Sequence, residues 1–501
     1  MPLLLTATWH APTIDYHALA PIIVVTGVIV LMIVVDLFAG RDAKGALSSL
    51  AGIGLLGAAI PIITLAVSGH ERSMFGGAFV VDHFALALDA VFVVAGYIVV
   101  LLSTNYIAEG DYWEGEYYIL LLSSVLGMMV MASARDLITI FVALELLSIP
   151  AYMLAAWRKR DLRSNEAGLK YYLMGVFASA IMLYGMSLIY GFTGSTVLTE
   201  IGHKVNTMHS SVPIVSMAIV FMIIGFAFKV SAVPFHTWAP DTYEGAPTPV
   251  AAFLATASKT AGFVALMELV FIGFLGRHDV YAPMIWVLSA LSMTVGNLIA
   301  LRQTNIVRML AYSGIAQAGY VLAPLAVAGT GGTTTATALR AMVIYLTIYV
   351  VMNLGAFAVV IAVARKTRSA EISSFSGLFT YAPGLAVSMA IFLASLAGIP
   401  PLGGWFAKFV VFNSLVSAGT TAGYVLAVVV GVNSVIAVFY YLRVVRYMFM
   451  EEAADGDRTP IRVPVSLTIA IGLTVALTLV YGVFPGLVTH FTDTVHLALG
   501  R

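Results

Sequence analysis

The stretch Phe226–Thr260, FAFKVSAVPFHTWAPDTYEGAPTPVAAFLATASKT, places two lysines inside neighbouring apolar segments. Lys229 lies late in one apolar run and Lys259 in the middle of the next, and the interval between them is polar and rich in proline. A lysine inserted into a hydrophobic membrane segment costs roughly 2.5–3.5 kcal/mol, so such a residue is usually retained for function. Two lysines on either side of a broken helix therefore indicate a site that handles charge within a membrane.

The composition supports a membrane setting. Of 501 residues, 60% are hydrophobic and 10% are charged, whereas soluble proteins average about 25% charged residues. This predicts an all-α, polytopic membrane protein. The net charge is zero and there is no cysteine, which argues against a nucleic-acid partner and excludes disulfides, cysteine-ligated zinc and the usual iron–sulfur clusters. No metal-ligand spacing or phosphate-binding loop is present, so we expect no cofactor in this chain and an ion gradient or a partner as the energy source.

About 14 transmembrane helices are expected, because a crossing needs about 20 mostly apolar residues. The candidates are 19–39, 46–67, 79–103, 117–133, 136–157, 168–191, 213–242, 248–273, 280–300, 305–328, 337–363, 379–419, 422–449 and 463–490. The region 379–419 contains the sequence IPP at Ile399–Pro401 and is interpreted as one crossing made of two half-helices. Two crossings there would give fifteen and would place the termini on opposite sides.

The loops carry an asymmetric charge. Fifteen lysines and arginines, among them Arg158, Lys159 and Arg160, fall on one side and six on the other. Cytoplasmic loops are enriched in such residues, so this bias predicts a cell-membrane protein with both termini outside.

Two broken helices indicate an internal repeat. The expected organisation is helices 1–3 in 1–116, a first five-helix repeat in 117–273, a second in 280–449, and a C-terminal loop and helix in 450–501. The proline-containing break falls at the fourth helix of each five, and units of five helices must insert with opposite orientation. Inverted repeats with paired broken helices are typical of transport proteins, where the break marks the ion path.

Four ionisable residues inside apolar segments are the main site candidates: Glu145, Lys229, Lys259 and Lys408. Burial lowers the pKa of a lysine and a nearby carboxylate raises it again, so making and breaking a Glu145–Lys229 contact would make the proton on Lys229 labile. The alternatives are a neutral, hydrogen-bonded Glu145 and lysines that extend to an interface.

Four further ionisable residues give weaker signals. Glu166 and Lys170 are spaced i,i+4, which suits a structural pair on a helix surface or a cytoplasmic site of proton uptake. His236, in the break, is either a loop histidine or a relay between Lys229 and Lys259. Glu268 comes late in its segment and is expected at an interface.

Four long motifs resemble the antiporter-like membrane subunits of respiratory complex I, over about Asp136 to Val445. They are LITIFVALELLSIPAYML, FKVSAVPFHTWAPDTYEGAPTPVAAFLATASK, RMLAYSGIAQAGY and ASLAGIPPLGGWFAKFVVF. The chain is most similar to the N-type subunits of bacterial NADH-quinone oxidoreductase, counterparts of mitochondrial subunit 2. Lys408 stands where M-type subunits carry a glutamate, and the chain ends soon after the last span, whereas L-type subunits continue into a long lateral helix.

The resemblance implies a proton-translocating, redox-inactive subunit with two inverted five-helix repeats. Glu145, Lys229, Lys259 and Lys408 match the proton-path residues, while flavin, iron–sulfur clusters and quinone belong to partner subunits, including neighbouring M-type and small K/J-type chains. Gln317 departs from the histidine of many relatives, which leaves bound water, Tyr312, Ser313 or Tyr320 as the link towards Lys408. The alternatives are a subunit of a multi-component cation/proton antiporter, a membrane subunit of a hydrogenase-type complex, or a purely structural spacer.

Overall fold

The computed structural model describes residues 14–39, 45–110, 114–207, 212–330, 332–453, 456 and 458–493. Arg41, Lys44 and Arg501, which contribute to the charge bias, lie outside these ranges, as do both chain ends. Within them, eleven helices are long and apolar enough to cross a membrane, and the helices Pro213–Lys229 and Pro383–Ala397 are shorter. One long stretch, Thr248–Ala300, contains two of the expected crossings. The all-α, polytopic fold is therefore confirmed.

The first half of the chain contains a short hairpin and eleven helices or helical pieces. Their bounds are α1 Tyr16–Ala39, α2 Ala46–Ser68, β1 Arg72–Met74, β2 Phe79–Val81, α3 His83–Glu109, α4 Glu114–Ser133, α5 Leu137–Ala155, α6 Leu162–Thr193, α7 Leu198–Asn206, α8 Pro213–Lys229, α9 Trp238–Gly245, α10 Thr248–Phe253 and α11 Lys259–Glu268. Two π-helical segments, Leu254–Ser258 and Leu269–Phe274, flank α11.

The second half is also helical. Its bounds are α12 His278–Ala300, α13 Ile306–Leu322, α14 Gly332–Thr367, α15 Leu378–Tyr381, α16 Pro383–Ala397, α17 Gly403–Ser417, α18 Thr421–Met450, α19 Val465–Val483 and α20 Pro485–Asp493. Short 3-10 turns occupy Phe75–Gly77, Leu275–Arg277, Ala323–Val327 and Ile372–Phe375.

Both broken helices form where the sequence predicts them. The chain leaves the helix after Lys229 and resumes it at Trp238, and it leaves again after Ala397 and resumes at Gly403. Proline lacks a backbone N–H and cannot continue the hydrogen-bond ladder. At the first break the carbonyl of Phe228 accepts from the Trp238 indole and from the Ser231 N–H, each at 3.0 Å. The equivalence of the two five-helix units stays a prediction.

The ends of several expected crossings are wrong: α3, for example, ends at Glu109 rather than at 103, and α6 begins at Leu162 rather than at 168. Residues 79–81 form β2, which pairs antiparallel with β1, and α3 begins only after Asp82, whose side chain accepts from the Ala85 N–H at 2.8 Å. A short apolar run before a helix suits either a strand or a helical turn. The last crossing ends at Val483 rather than at 490, because Phe484 leaves the helix before Pro485.

A buried ion triad joins three elements at the hairpin end of the bundle. Arg135 donates to Asp82 Oδ2 at 2.9 Å and to Glu268 Oε1 at 2.6 Å, and all three side chains are at most 1% exposed. Glu268 is therefore buried at this end of the bundle, because a guanidinium from a distant loop makes its burial possible, and its expected position at a membrane interface stays a prediction.

Candidate functional site

Lys229 is the last residue of α8 and is 4% exposed. Its Nζ donates to Ser148 Oγ at 2.8 Å and to Tyr171 Oη at 3.3 Å. The Tyr171 ring stacks on the Trp238 ring, with centroids 4.4 Å apart. The ammonium group therefore lies among α5, α6 and the break, with hydroxyl partners.

Glu145 lies one helical turn before Ser148 on α5, within Coulombic range of Lys229. The two do not form an ion pair in this structure, since Ser148 takes the position nearest the ammonium and Glu145 Oε1 has no hydrogen-bond partner among the described residues. Glu145 is half-buried and lies along the face of α5 that exposes Val142 and Ile149. An ionisable group on such a face is costly in contact with lipid.

Lys259 opens α11 and is 1% exposed. Its Nζ donates to the carbonyl of Gly314 on α13 at 2.8 Å. One turn further along α11, a Cβ on Gly262 would lie 2.9 Å from Lys229 Cγ. The stem of Lys229 thus packs within one turn of Lys259, which brings the two lysines of the opening motif into one site.

Gln317 is the centre of a polar network between Lys259 and Lys408. Its Nε2 donates to the carbonyl of Leu396 at 3.2 Å and to Tyr441 Oη at 3.3 Å, and its Oε1 accepts from the Tyr345 hydroxyl. Ser313 Oγ lies 2.5 Å from Tyr441 Oη. Of the proposed links, Ser313 therefore joins the network directly.

Lys408 lies beyond the second break and is 7% exposed. Its Nζ donates to the carbonyl of Ala397 at 2.8 Å and lies 4.8 Å from the centroid of the Tyr320 ring. Tyr320 in turn stacks on Tyr345, with centroids 6.3 Å apart. Gly398 has φ of +91°, and a Cβ there would lie 2.9 Å from Lys408 Cδ. The break therefore both supplies the acceptor and makes room for the side chain.

His236 does not bridge the two lysines in this structure. It is half-buried, its Nδ1 has no partner among the described residues, and its ring faces Tyr312 with centroids 6.5 Å apart. The lysines instead bind hydroxyl and carbonyl groups. Tyr312, offered as a link towards Lys408, contacts the break rather than the Gln317 network.

Glu166 and Lys170 form the expected pair at 2.7 Å, within a larger ion network. Lys170 also binds Asp241 at 2.8 Å, and Arg308 binds Asp241 and Glu244, each at 2.9 Å. A cavity of about 180 Å³ lies against these groups. The network fastens α9 to α6 and α13, so the half-helix after the first break is held from both halves of the chain.

The sequence does not predict several hydrogen-bond partners of the buried lysines and of Gln317. Serine and threonine in apolar helices commonly bond their own backbone, so Ser148 gave no signal. A tyrosine suits an apolar core as well as a polar network, so Tyr171, Tyr345 and Tyr441 gave no signal either. Within the described residues, no group of three or more His, Cys, Asp or Glu side chains could hold a metal ion.

The two broken helices and the row of buried lysines define a polytopic membrane protein of the antiporter type. Residues 134–436 match the family model described as NADH:quinone oxidoreductase/Mrp antiporter, TM. The NADH-quinone oxidoreductase subunit N of Trichlorobacter lovleyi is 38% identical over 491 residues, which cover 96% of this chain and 97% of the relative. The chain therefore belongs to the NADH:quinone oxidoreductase/Mrp antiporter membrane family, among the NADH-quinone oxidoreductase N subunits.

Chains in two solved complexes have a fold similar to that of this chain. A chain of respiratory complex I from Thermus thermophilus is 30% identical, with a TM-score of 0.76, and the match covers 93% of this chain and 98% of that one. A chain of the Mrp complex from Dietzia sp. has a TM-score of 0.82 at 20% identity, covering 96% and 97%; at this identity the likeness concerns the fold alone. The predicted identification as an antiporter-like complex I subunit is confirmed.

Proposed function

We propose that this chain translocates protons along the row Lys229, Lys259 and Lys408, driven by electron transfer from NADH to quinone in partner subunits. The observation that carries the proposal is the bonding of the three lysines. Each is buried, and each donates to a neutral hydroxyl or carbonyl oxygen. A neutral amine donates the same bond as an ammonium, so a lysine held in this way can lose its proton without losing its partner.

Glu145 is the proposed control on this row. Ser148 and Glu145 are neighbours on one face of α5, since residues three apart are adjacent on a helix. A movement of Lys229 from Ser148 to Glu145 would pair the ammonium with a carboxylate and hold its proton. The return movement would release it to the network around Lys259 and Gln317, and Lys408 would pass it out of the subunit.

Proton uptake would begin on the face of the bundle that carries Glu166 and Lys170. The loops on this face hold most of the lysines and arginines, which supports a cytoplasmic position for this face and an outside position for both termini. We assign His236 no step in the row, in keeping with its contact with Tyr312.

The partners proposed for this chain are other membrane subunits of the complex. The half-buried Glu145 and the apolar residues beside it form a face that a neighbouring subunit would cover. We propose that small K/J-type and M-type chains flank the bundle, and that flavin, iron–sulfur clusters and quinone lie in other subunits. The absence of cysteine agrees with redox centres outside this chain.

The test begins with a tagged chain extracted in mild detergent. Flavin and iron–sulfur spectra and NADH-dependent quinone reduction should accompany it. Proton translocation should then fall in Lys229→Met and Lys259→Met but not in Lys159→Met, whose side chain is 75% exposed. Hydrophobic partners without redox centres would support the antiporter alternative, and clusters with hydrogenase activity the hydrogenase-type alternative. Full translocation by both buried-lysine variants would refute the row.

A further inference from the structure

Asn353 of α14 carries a buried acceptor without a donor. The residue is 1% exposed, and its Oδ1 has no hydrogen-bond partner among the described residues. Its Nδ2 donates to the Tyr349 hydroxyl at 3.0 Å, one turn earlier on the same helix. Buried polar groups are hydrogen-bonded in nearly all proteins, so this oxygen requires a donor that the described side chains do not supply in the present arrangement.

The Tyr349 hydroxyl keeps room for one more donor as well. A hydroxyl has one proton and two lone pairs. Tyr349 donates its proton to the carbonyl of Ala255 at 3.0 Å and accepts from Asn353, which leaves one lone pair without a donor among the described residues. The bond to Ala255 holds the hydroxyl against the π-helical segment that ends at Ser258, directly before Lys259.

The amino group of Lys259 lies close enough to be that donor. A Cβ on Gly314 would lie 3.1 Å from Tyr349 Oη and 3.2 Å from Lys259 Nζ, so the hydroxyl and the amino group border the same small space. An ammonium has three N–H donors, and within the described part of the chain Lys259 uses one of them, on the Gly314 carbonyl. A short movement through the space beside Gly314 would bring Lys259 to Tyr349 and Asn353.

The present position of Lys259 belongs to the network that leads to Lys408. Its acceptor, Gly314, directly follows Ser313, and Gln317 lies one turn further along α13. Both Ser313 and Gln317 bond the Tyr441 hydroxyl. At Gly314, Lys259 is therefore placed to deliver a proton.

Tyr349 lies on the side of Lys259 that leads to Lys229. Tyr243 has both Tyr349 and Tyr171 as electrostatic neighbours, and Tyr171 accepts from Lys229 at 3.3 Å. A Lys259 amino group at Tyr349 would therefore face the site from which the row supplies its proton.

We propose that Tyr349 and Asn353 form a second position for the amino group of Lys259, at which it receives a proton, and that Gly314 leaves the space for the movement. The neutral amine of Lys259 would gain the proton that the Lys229 ammonium loses, and would then pass it on from the Gly314 position. Both positions offer neutral oxygen atoms, which bind an amine and an ammonium alike. This inference rests on the proposed function and specifies how one member of the row changes sides.

Removal of the amide is the first test. Asn353→Leu has nearly the same size and leaves the Tyr349–Ala255 bond in place. It should lower NADH-driven proton translocation per assembled complex by about tenfold or more, because a reacting group misplaced by about 1 Å can cost about 10²-fold. Thr347→Val is the matched control on the same helix: the Thr347 hydroxyl donates to the Val343 carbonyl of its own helix at 2.9 Å, and we expect a rate within about twofold of the unmodified complex.

Filling the space is the second test. Gly314→Ala keeps the carbonyl that accepts from Lys259 and places a methyl group between the two positions, so it should also lower translocation by about tenfold or more. Gly472→Ala is the control, since a Cβ there meets nothing within 4 Å, and should leave translocation unchanged.

The position of Lys259 is the direct readout, because a merely structural role of Asn353 would not change it. Cryo-electron microscopy of the complex during turnover with NADH and quinone should show the Lys259 side chain both at Gly314 and at Tyr349–Asn353. In the Asn353→Leu complex it should remain at Gly314. A Lys259 that stays at Gly314 throughout turnover, with a water molecule on Asn353 Oδ1, would overturn the second position.

The outcomes separate this inference from the function beneath it. If Lys229→Met and Lys259→Met lose translocation while Asn353→Leu and Gly314→Ala keep it, the second position is overturned and the lysine row stands. If the lysine variants also pump fully, the proposed function fails. If Asn353→Leu does not assemble, Gly314→Ala and the turnover structure of the unmodified complex decide.

Discussion

Replacement of Ser148 by alanine tests the bonding of Lys229 most directly. The substitution removes the hydroxyl that accepts from Lys229 Nζ at 2.8 Å and leaves the longer bond to Tyr171 at 3.3 Å. A hydrogen bond to a charged group contributes about 1.5–3 kcal/mol. Glu145, one turn away on α5, then becomes the stronger partner for the ammonium.

The expected loss of translocation rate in Ser148→Ala follows from that bond energy. At about 1.36 kcal/mol per tenfold change, the balance between the Ser148-bound and Glu145-bound positions of Lys229 shifts by about 13- to 160-fold. If Lys229 must alternate between the two, Ser148→Ala should slow NADH-driven proton translocation by about tenfold or more. Translocation and quinone reduction are measured in membrane vesicles and normalised to the amount of assembled complex.

Two variants control this experiment. Ser148→Thr keeps a hydroxyl and should restore most of the rate. Ser123→Ala removes a hydroxyl whose one partner among the described residues is the Ile119 carbonyl of its own helix, and should have little effect. A fully assembled Ser148→Ala complex that translocates protons at the unmodified rate would show that the Lys229–Ser148 bond has no part in the cycle.

Three further predictions address other parts of the structure. Gly398→Ala should lower translocation about tenfold, because a Cβ there meets Lys408 Cδ at 2.9 Å and the φ of +91° disfavours alanine by about 1–2 kcal/mol. The control is Gly384→Ala, whose Cβ meets nothing within 4 Å, and a fully active Gly398→Ala complex would contradict the constraint on Lys408. Gln317→Leu should abolish most translocation, since it leaves Tyr345 and the Leu396 carbonyl without their hydrogen-bond partner, a loss that costs about 1–3 kcal/mol for each group. Gln317→His can donate and accept and should retain translocation, and equal rates in the two variants would show that Gln317 is not on the route. Arg135→Met should reduce the amount and thermal stability of the complex, because breaking a buried ion pair costs about 3–5 kcal/mol. The control Arg446→Met changes a side chain that is 69% exposed and should cost less than about 1 kcal/mol, and unchanged stability of Arg135→Met would contradict the structural role of the triad.

The broken helices and the buried lysines could be predicted because their signals are local. A lysine inside an apolar run is conspicuous in the sequence, and Lys229, Lys259 and Lys408 are all buried in the structure. Proline within an apolar segment likewise predicts an interruption, and both interruptions occur. These features depend on a few adjacent residues and not on which helices become neighbours.

The partners of those lysines could not be predicted, because helix packing selects them. Ser148 is 81 residues from Lys229 in the sequence, and Gly314 is 55 residues from Lys259. A serine in an apolar helix and a backbone carbonyl carry no sequence signal of their own. The same holds for Glu268, whose burial depends on Arg135, 133 residues away.

The contrast between Arg135 and the lysines bears on which charges move. Arg135 is held by two carboxylates, and a guanidinium remains charged in proteins, so this triad is a fixed charge that fastens three elements. Lys229, Lys259 and Lys408 have neutral acceptors, which bind the amine in either protonation state. A carboxylate as permanent partner would favour only the charged state of each lysine. The position of Glu145, near Lys229 but not bonded to it, is therefore what a switch requires: the carboxylate can hold the proton on Lys229 for part of a cycle and cannot hold it throughout.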